Sequence, residues 1–476
     1  MVFEDTKTYL DQDSLVQLRS YKYQSVDKSY LSYYILNPYW TWCAKFMPSW
    51  LAPNVITLLG IIAIYANVIT ILIYIPDLVG PGPSWIYYSF AAGIFFYQTM
   101  DNIDGKQARA TGTSSPLGEL FDHGIDSLNC CLGGLVQSAC MGMGSSKNTA
   151  IVTFITCVAM YLSTWETYHT HVLYLGYLNG PTEGIIIAVI MMLISGAYGI
   201  QVWNNPISSV FSAPMQTLFS LFMGGSPYQV GQLPLKDLWV AFVFWGVLIG
   251  HVPVCLYNVY QYKRANKESF TATLPNLIPI VIASLSVYLW LWSPYSIILS
   301  DNHIVLFTLA MSLVFGRMTT TIILAHLTRQ PFPYWSTPMT PLVIGAGLFR
   351  FFRWPSSATV IVDGVATASS SSNANKLFSY AAGKGAAMRL LARTISGPNN
   401  IKLEKLGSPE TADLPLGQQT NYSFPINFEL LYLWLFFAYL VLYFSVYARR
   451  VIKGITEFLG ISAFTVKKPA DLNKAM

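Results

Sequence analysis

Strongly apolar runs succeed one another from Pro53 to Tyr447, and polar residues collect between them. The runs are Asn54–Ile75, Trp85–Met100, Leu117–Met141, Thr149–Tyr168, Gly184–Val202, Leu238–Tyr260, Leu274–Trp292, Val305–Leu327, Leu342–Phe352 and Phe428–Ala448. Most approach the roughly 18–25 residues that carry an α-helix across a bilayer, and Leu342–Phe352 is the shortest. None alternates with the period of two that marks a membrane-spanning β-strand. The pattern predicts an all-α polytopic membrane protein with about ten transmembrane helices.

Two stretches break the pattern. Residues 30–52, YLSYYILNPYWTWCAKFMPSWLA, are rich in Tyr and Trp but interrupted by Pro38, Lys45 and Pro48. They predict an N-terminal interfacial amphipathic helix lying along the membrane, with aromatics at headgroup level. Residues 353–425 are rich in Ser, Gly, Ala and Pro, which predicts a flexible insertion. The chain therefore divides into a cytosolic segment with the interfacial helix (1–52), a membrane domain (53–352), the insertion (353–425), and a last span with its tail (426–476). The start, MVFEDTKTYL, is polar and acidic and does not resemble a cleavable signal peptide.

Charge adds an orientation. Arg19, Lys22, Lys28 and Lys45 precede the first run, and Lys106 and Arg109 follow the second. Lys263, Arg264 and Lys267 follow the sixth, and Arg449, Arg450 and Lys453 follow the last. With about ten spans all these clusters share one side, which the positive-inside rule assigns to the cytosol. The insertion then falls on the lumenal side, where Asn421 opens an NYS glycosylation sequon. Composition agrees: 53% of the 476 residues are hydrophobic and 11% charged, against roughly 25% charged in soluble domains. The net charge of +5 sits beside the membrane and not in a stripe, so nucleic acid is not an expected partner. Cys43, Cys130, Cys131, Cys140, Cys157 and Cys255 lack metal-ligand spacing and read as small apolar residues.

Chemistry concentrates in DNIDGKQARATGTSSPLGELFDHGID, Asp101 to Asp126. An aspartate near the centre of a membrane helix costs about 2.5–3.5 kcal/mol on insertion scales, so four here require compensation. Asp101 and Asp104 are three residues apart, and Asp122 and Asp126 four apart, so each pair shares a helix face. Two facing pairs make an oxygen cage for hard divalent cations. Two such ions roughly 3.5–4 Å apart stabilise charge on a transferring phosphoryl group. Gly105 and Gly118 leave room for a substrate or an opposing helix. Arg109 offers a planar fork for phosphate, and Lys106 a looser second cation. His123 flanks the metal face and is placed to take a proton from a hydroxyl nucleophile, with Asp126 the competing base. A lone aspartate here would read as a helix cap. Four at these spacings, with Arg109 between them, would not.

The spacing D-x2-D-G-x2-A-R-x8-G-x3-D-x3-D resembles the signature of the CDP-alcohol phosphotransferases, and every defining position is matched. APNVITLLG, with Pro53, Asn54, Thr57 and Gly60, resembles the segment that opens that family's first span. LGELFDHGIDS and residues 165–184 are similar to the eukaryotic choline/ethanolamine phosphotransferase branch. The resemblance covers most of residues 20–350 and resumes in the last span, while 353–425 departs from it. It implies transfer of phosphocholine or phosphoethanolamine from CDP-choline or CDP-ethanolamine to diacylglycerol, with release of CMP. It implies two Mg2+ or Mn2+ ions on the four aspartates, and the CDP moiety on Asp104, Gly105, Ala108 and Arg109, with Asn54 in contact. It further implies an endoplasmic reticulum or Golgi membrane and a homodimer, since eukaryotic relatives are often dimers. Glu166, beside His169 and His171, either shapes the headgroup or acceptor pocket or marks a helix end. Glu183 reads as a favourable charge at a helix start. Arg317, His251 and His326 read as polar residues satisfied within spans.

Rival readings make different demands. A prenyl transferase needs a second Asp-rich cluster, and none follows Asp126. A non-catalytic lipid transporter predicts broken midplane helices and repeated halves, which the sequence lacks. A metal-dependent transferase for another alcohol, such as inositol or glycerol phosphate, shares the motif, but the 165–184 segment argues against it.

Overall fold

A computed structural model describes residues 10–21, 23–352, 358–362 and 422–466. Its helices are α1 (Gln12–Val16), α2 (Asn37–Ala44), α3 (Pro53–Tyr74), α4 (Ser84–Thr111), α5 (Pro116–Cys140), α6 (Lys147–Thr170) and α7 (Gly180–Tyr198). They continue as α8 (Ala213–Met223), α9 (Pro227–Gln232), α10 (Leu235–Ala265), α11 (Thr271–Leu291), α12 (Ile304–Leu327), α13 (Met339–Phe351) and α14 (Phe428–Leu459).

The all-α polytopic class holds, and every apolar run is helical. The count of about ten crossings is not reached on length and apolarity. Among the described residues seven helices meet both conditions: α3, α6, α7, α10, α11, α12 and α14. Helices α4 and α5 are 28 and 25 residues long but carry the polar motif. Helix α13 has 13 residues, about 20 Å at 1.5 Å per residue, against a hydrocarbon core of about 30 Å.

Local signals place the motif. Helix α4 ends at Gly112, whose φ of 65° is the left-handed conformation glycine takes at a helix C-terminus. Helix α5 starts at Pro116, four residues later, with Ser115 accepting from the backbone N–H of Gly118. A connection this short makes α4 and α5 an antiparallel hairpin and brings Asp101 beside Asp122 and Asp126. Helix α3 packs along α4 and α5, and α12 packs behind α5 and α6. At Gly134 of α5, an added Cβ would lie 2.8 Å from Thr153 Cα of α6, so the two backbones touch.

The N-terminal segment departs from a plain polar leader. Leu15 and Leu18 are buried among Leu117, Leu120, Leu327 and Val451. Strand β1 (Ser25–Asp27) pairs in parallel with β2 (Leu173–Leu175), after the end of α6. The helix expected within 30–52 runs from a π-helical turn at Ser32–Leu36 through α2 and stops at Ala44, ahead of Pro48. Strands β3 (Ala358–Val362) and β4 (Tyr422–Ile426) pair antiparallel and join the two ends of the expected insertion. Neither strand pair was expected. Asn421 and most of the insertion lie outside the described residues.

Candidate active site

One carboxylate oxygen from each of Asp101, Asp122 and Asp126 lies within 4.8 Å of the other two. Asp101 comes from α4, the others from α5, so the helical hairpin assembles the group. Oδ1 of Asp101 and Oδ1 of Asp122 are buried and have no hydrogen-bond partner. A buried unpaired acceptor costs about 1–3 kcal/mol, more when charged, and carboxylates this close repel. A divalent cation answers both costs, and the donor set of carboxylate oxygens suits a hard one.

The second oxygen positions are held from neighbouring helices. Asp126 accepts from the hydroxyl of Tyr97, one turn before Asp101 on α4. Asp104 accepts from the hydroxyl of Thr57 on α3, and both residues are buried. Asp104 is thus tied to α3, while the other three aspartates form the close group. Nδ1 of His123 is 3.8 Å from Oδ2 of Asp126, and Nε2 of His123 is buried without a partner. Glu119, one turn earlier on α5, is also buried with Oε2 unpaired.

The remaining expected residues divide. Gly105 and Gly118 border open space: added Cβ atoms would meet Arg109 at 3.5 Å in one case, Ser115 and Asn54 at 3.8 and 3.9 Å in the other. These are ordinary contacts, so internal packing does not demand glycine at either site. Arg109 is exposed in the last turn of α4, and Ala108 beside it is half-buried. Lys106 donates to Oδ1 of Asn37 at 2.5 Å, linking the motif to α2. Asn54 is buried and donates to the Ala463 carbonyl at 2.9 Å, so the chain after α14 returns to the start of α3. Glu166 points elsewhere: its Oε1 accepts from Asn258 of α10 at 2.8 Å. His169 meets Asn276 at 3.0 Å, and His171 stacks on His326 with ring centroids 5.1 Å apart. Glu183 accepts from the Ser29 hydroxyl and from the backbone N–H of Asn179 at 2.9 Å, bracing the turn before α7.

Sequence reasoning gave no role to Thr57, Tyr97, Glu119 or the tyrosines of the N-terminal segment. Tyr97 stands four residues before Asp101, a spacing that places both on one face, and that signal was available. Thr57 is joined to Asp104 only by the packing of α3 on α4, which no local spacing reveals.

The arrangement is an oxygen-rich cluster with unpaired carboxylates, a flanking imidazole and an exposed guanidinium about two turns beyond Asp101. Residues 50–214 match the family model described as CDP-alcohol phosphatidyltransferase. The chain is similar to choline/ethanolaminephosphotransferase 1 of Saccharomyces cerevisiae, with 38% identity over 342 residues, 70% of this chain and 82% of the relative. It is 35% identical to choline/ethanolaminephosphotransferase 1 of Arabidopsis thaliana over 328 residues, 68% of this chain and 80% of the relative. A Dictyostelium discoideum protein named only as an uncharacterised class-I member of the same family is 36% identical over 343 residues, 70% of this chain and 84% of that protein. Motif, geometry and relatives agree: the chain is an enzyme and belongs to the CDP-alcohol phosphatidyltransferase family.

Proposed function

We propose that the chain transfers phosphocholine or phosphoethanolamine from CDP-choline or CDP-ethanolamine to diacylglycerol, yielding phosphatidylcholine or phosphatidylethanolamine and CMP. The observation that carries this reading is the close group of Asp101, Asp122 and Asp126 with two unpaired buried oxygens. Asp101, Asp104, Asp122 and Asp126 would hold two Mg2+ or Mn2+ ions, which supply positive charge against the pyrophosphate when bound.

The protein residues then have separate tasks. The exposed Arg109 fork holds phosphate oxygens, with Lys106 as a second cation once it leaves Asn37. Gly105, Ala108 and Gly118 leave the backbone open to the nucleotide, and Asn54 borders it beside Gly118. The diacylglycerol hydroxyl oxygen attacks the phosphorus bearing the headgroup, and the bond to the bridging oxygen breaks. CMP departs with that oxygen and its electron pair. The hydroxyl proton goes to Nε2 of His123, whose other nitrogen faces Asp126; Asp126 itself is the alternative base. Glu166, braced by Asn258, belongs to the headgroup or acceptor pocket.

In this reading residues 53–352 form the catalytic membrane domain, 353–425 a lumenal insertion, and 426–476 the last span and tail. The site faces the cytosol of an endoplasmic reticulum or Golgi membrane, and the protein works as a homodimer. The basic clusters beside the helices support the orientation.

The test is CMP release by purified protein with diacylglycerol and both CDP-alcohols in parallel, with and without Mg2+ or Mn2+. Turnover should require the metal and vanish in Asp122→Asn; turnover without metal sinks the reading. His123→Ala should cut kcat sharply while CDP-alcohol binding persists, and retained activity would move the base to Asp126.

A further inference from the structure

We propose that Tyr23 of the N-terminal segment is a positioning residue for His123, so that residues 23–29 form a wall of the catalytic centre. The inference rests on the proposed role of His123 as base. The Tyr23 ring stands beside the His123 imidazole, with centroids 6.1 Å apart and planes inclined by 40°. Tyr23 is 47% exposed, so it stands between the imidazole and solvent.

Its place is fixed on both sides. Upstream, Leu15 and Leu18 are buried among the ends of α5, α12 and α14. Ser14 accepts from the Gln330 side chain at 2.7 Å, and the Tyr21 hydroxyl lies 3.4 Å from Nε2 of His326. Downstream, β1 is paired with β2, Lys28 donates its backbone N–H to Leu175 at 3.0 Å, and Ser29 donates to Glu183. A segment held so closely on either side leaves Tyr23 little freedom to leave His123.

The phenols also face the site electrically. Burial raises the pKa of the Tyr23 hydroxyl; the Ser25 hydroxyl works against this, and the charges of Asp122, Glu119 and Asp101 add to it. Burial and the neighbouring Glu119 carboxylate raise that of Tyr21 likewise. Nε2 of His123 is buried and unpaired, so no hydrogen bond fixes that edge of the ring. A ring beside it narrows the room the imidazole has to turn and screens it from water.

The experiment compares full-length wild type, Tyr23→Ala and Tyr23→Phe. It measures kcat, KM for both substrates, and labelling of His123 by diethyl pyrocarbonate, read by mass spectrometry. Tyr23→Ala should lower kcat about tenfold with both KM values nearly unchanged, and should speed His123 labelling. Tyr23→Phe, which keeps the ring, should match wild type in all three. If Tyr23→Ala does not fold, Tyr23→Leu replaces it, because it keeps bulk without a flat face. An unchanged kcat in Tyr23→Ala, a loss shared by Tyr23→Phe, or a loss without faster labelling each overturns the positioning role. Labelling needs no turnover, so it reports the Tyr23 contact even if an active His123→Ala enzyme refutes the base assignment.

Discussion

Replacing Thr57 by Val removes one hydroxyl and keeps the branched shape. That hydroxyl donates to Asp104, and Thr57 and Asp104 are 2% and 6% exposed, so water cannot replace it. A hydrogen bond to a charged group contributes about 1.5–3 kcal/mol. At 1.4 kcal/mol per decade this is roughly a 10- to 150-fold change in an equilibrium that depends on the carboxylate. Substitutions of groups that orient metal ligands typically weaken metal affinity by about 10–100-fold, the same range. If Asp104 is a ligand, Thr57→Val should therefore raise half-saturating Mn2+ by about 10–100-fold in a CMP-release assay. Turnover at saturating Mn2+ should stay near wild type, because the other aspartates and His123 are untouched. Thr57→Ser, which retains the donor, should restore the metal curve. An unmoved curve in Thr57→Val, or a Ser variant as impaired as Val, would refute the argument that Thr57 orients a metal ligand.

Other substitutions probe separate links. Gly134→Ala puts a Cβ 2.8 Å from Thr153 Cα and 2.9 Å from the Val152 carbonyl, backbone atoms that yield only if α5 and α6 separate. Overpacking of this kind costs about 1–3 kcal/mol, so thermal unfolding in detergent should shift down; an unshifted melt would refute the close approach. Arg109→Lys loses the planar fork and should raise KM for the CDP-alcohol about tenfold at similar kcat, and an unchanged KM would remove Arg109 from phosphate binding. Arg317 is buried with its Nε and one terminal nitrogen unpaired, and its guanidinium carbon lies 3.8 Å from the Tyr447 ring centroid. Arg317→Met keeps the bulk without the buried charge and should melt at or above wild type; a clear fall would mean the cation–π contact outweighs desolvation.

The helical runs were legible in the sequence, and so was the convergence of three motif aspartates. Each apolar run became a helix, and Asp101, Asp122 and Asp126 converge because their helices are joined by the short turn after Gly112. Contacts between distant parts were not legible. Asn54 meets Ala463 across 409 residues, Glu166 meets Asn258 across 92, and Tyr23 meets His123 across exactly one hundred positions of unrelated pattern. β1 and β2 are three residues each, too short for any alternation to register.

The lateral arrangement of helices was hidden for a reason specific to membranes. Lipid is as apolar as a packed interior, so hydropathy does not separate a lipid-facing helix from a central one. Helix α12 has a mean hydropathy of 1.5 and 94% of its most apolar stretch is buried; α10 reaches 2.0 with 11% buried. Ranking helices by apolarity would therefore have put the more exposed helix inside. What marks α12 as the hub is polar and small content: Gly316, Arg317, Thr319, Thr320, Thr321 and His326 are all buried. In water such residues argue for a surface; in lipid they argue for a protected interior, because an exposed hydroxyl or guanidinium has no partner there. By the same reasoning Glu166, Asn258, His169 and Asn276 mark where α6, α10 and α11 face one another. Polar pairing, not apolar content, is the sequence signal for which helices face one another.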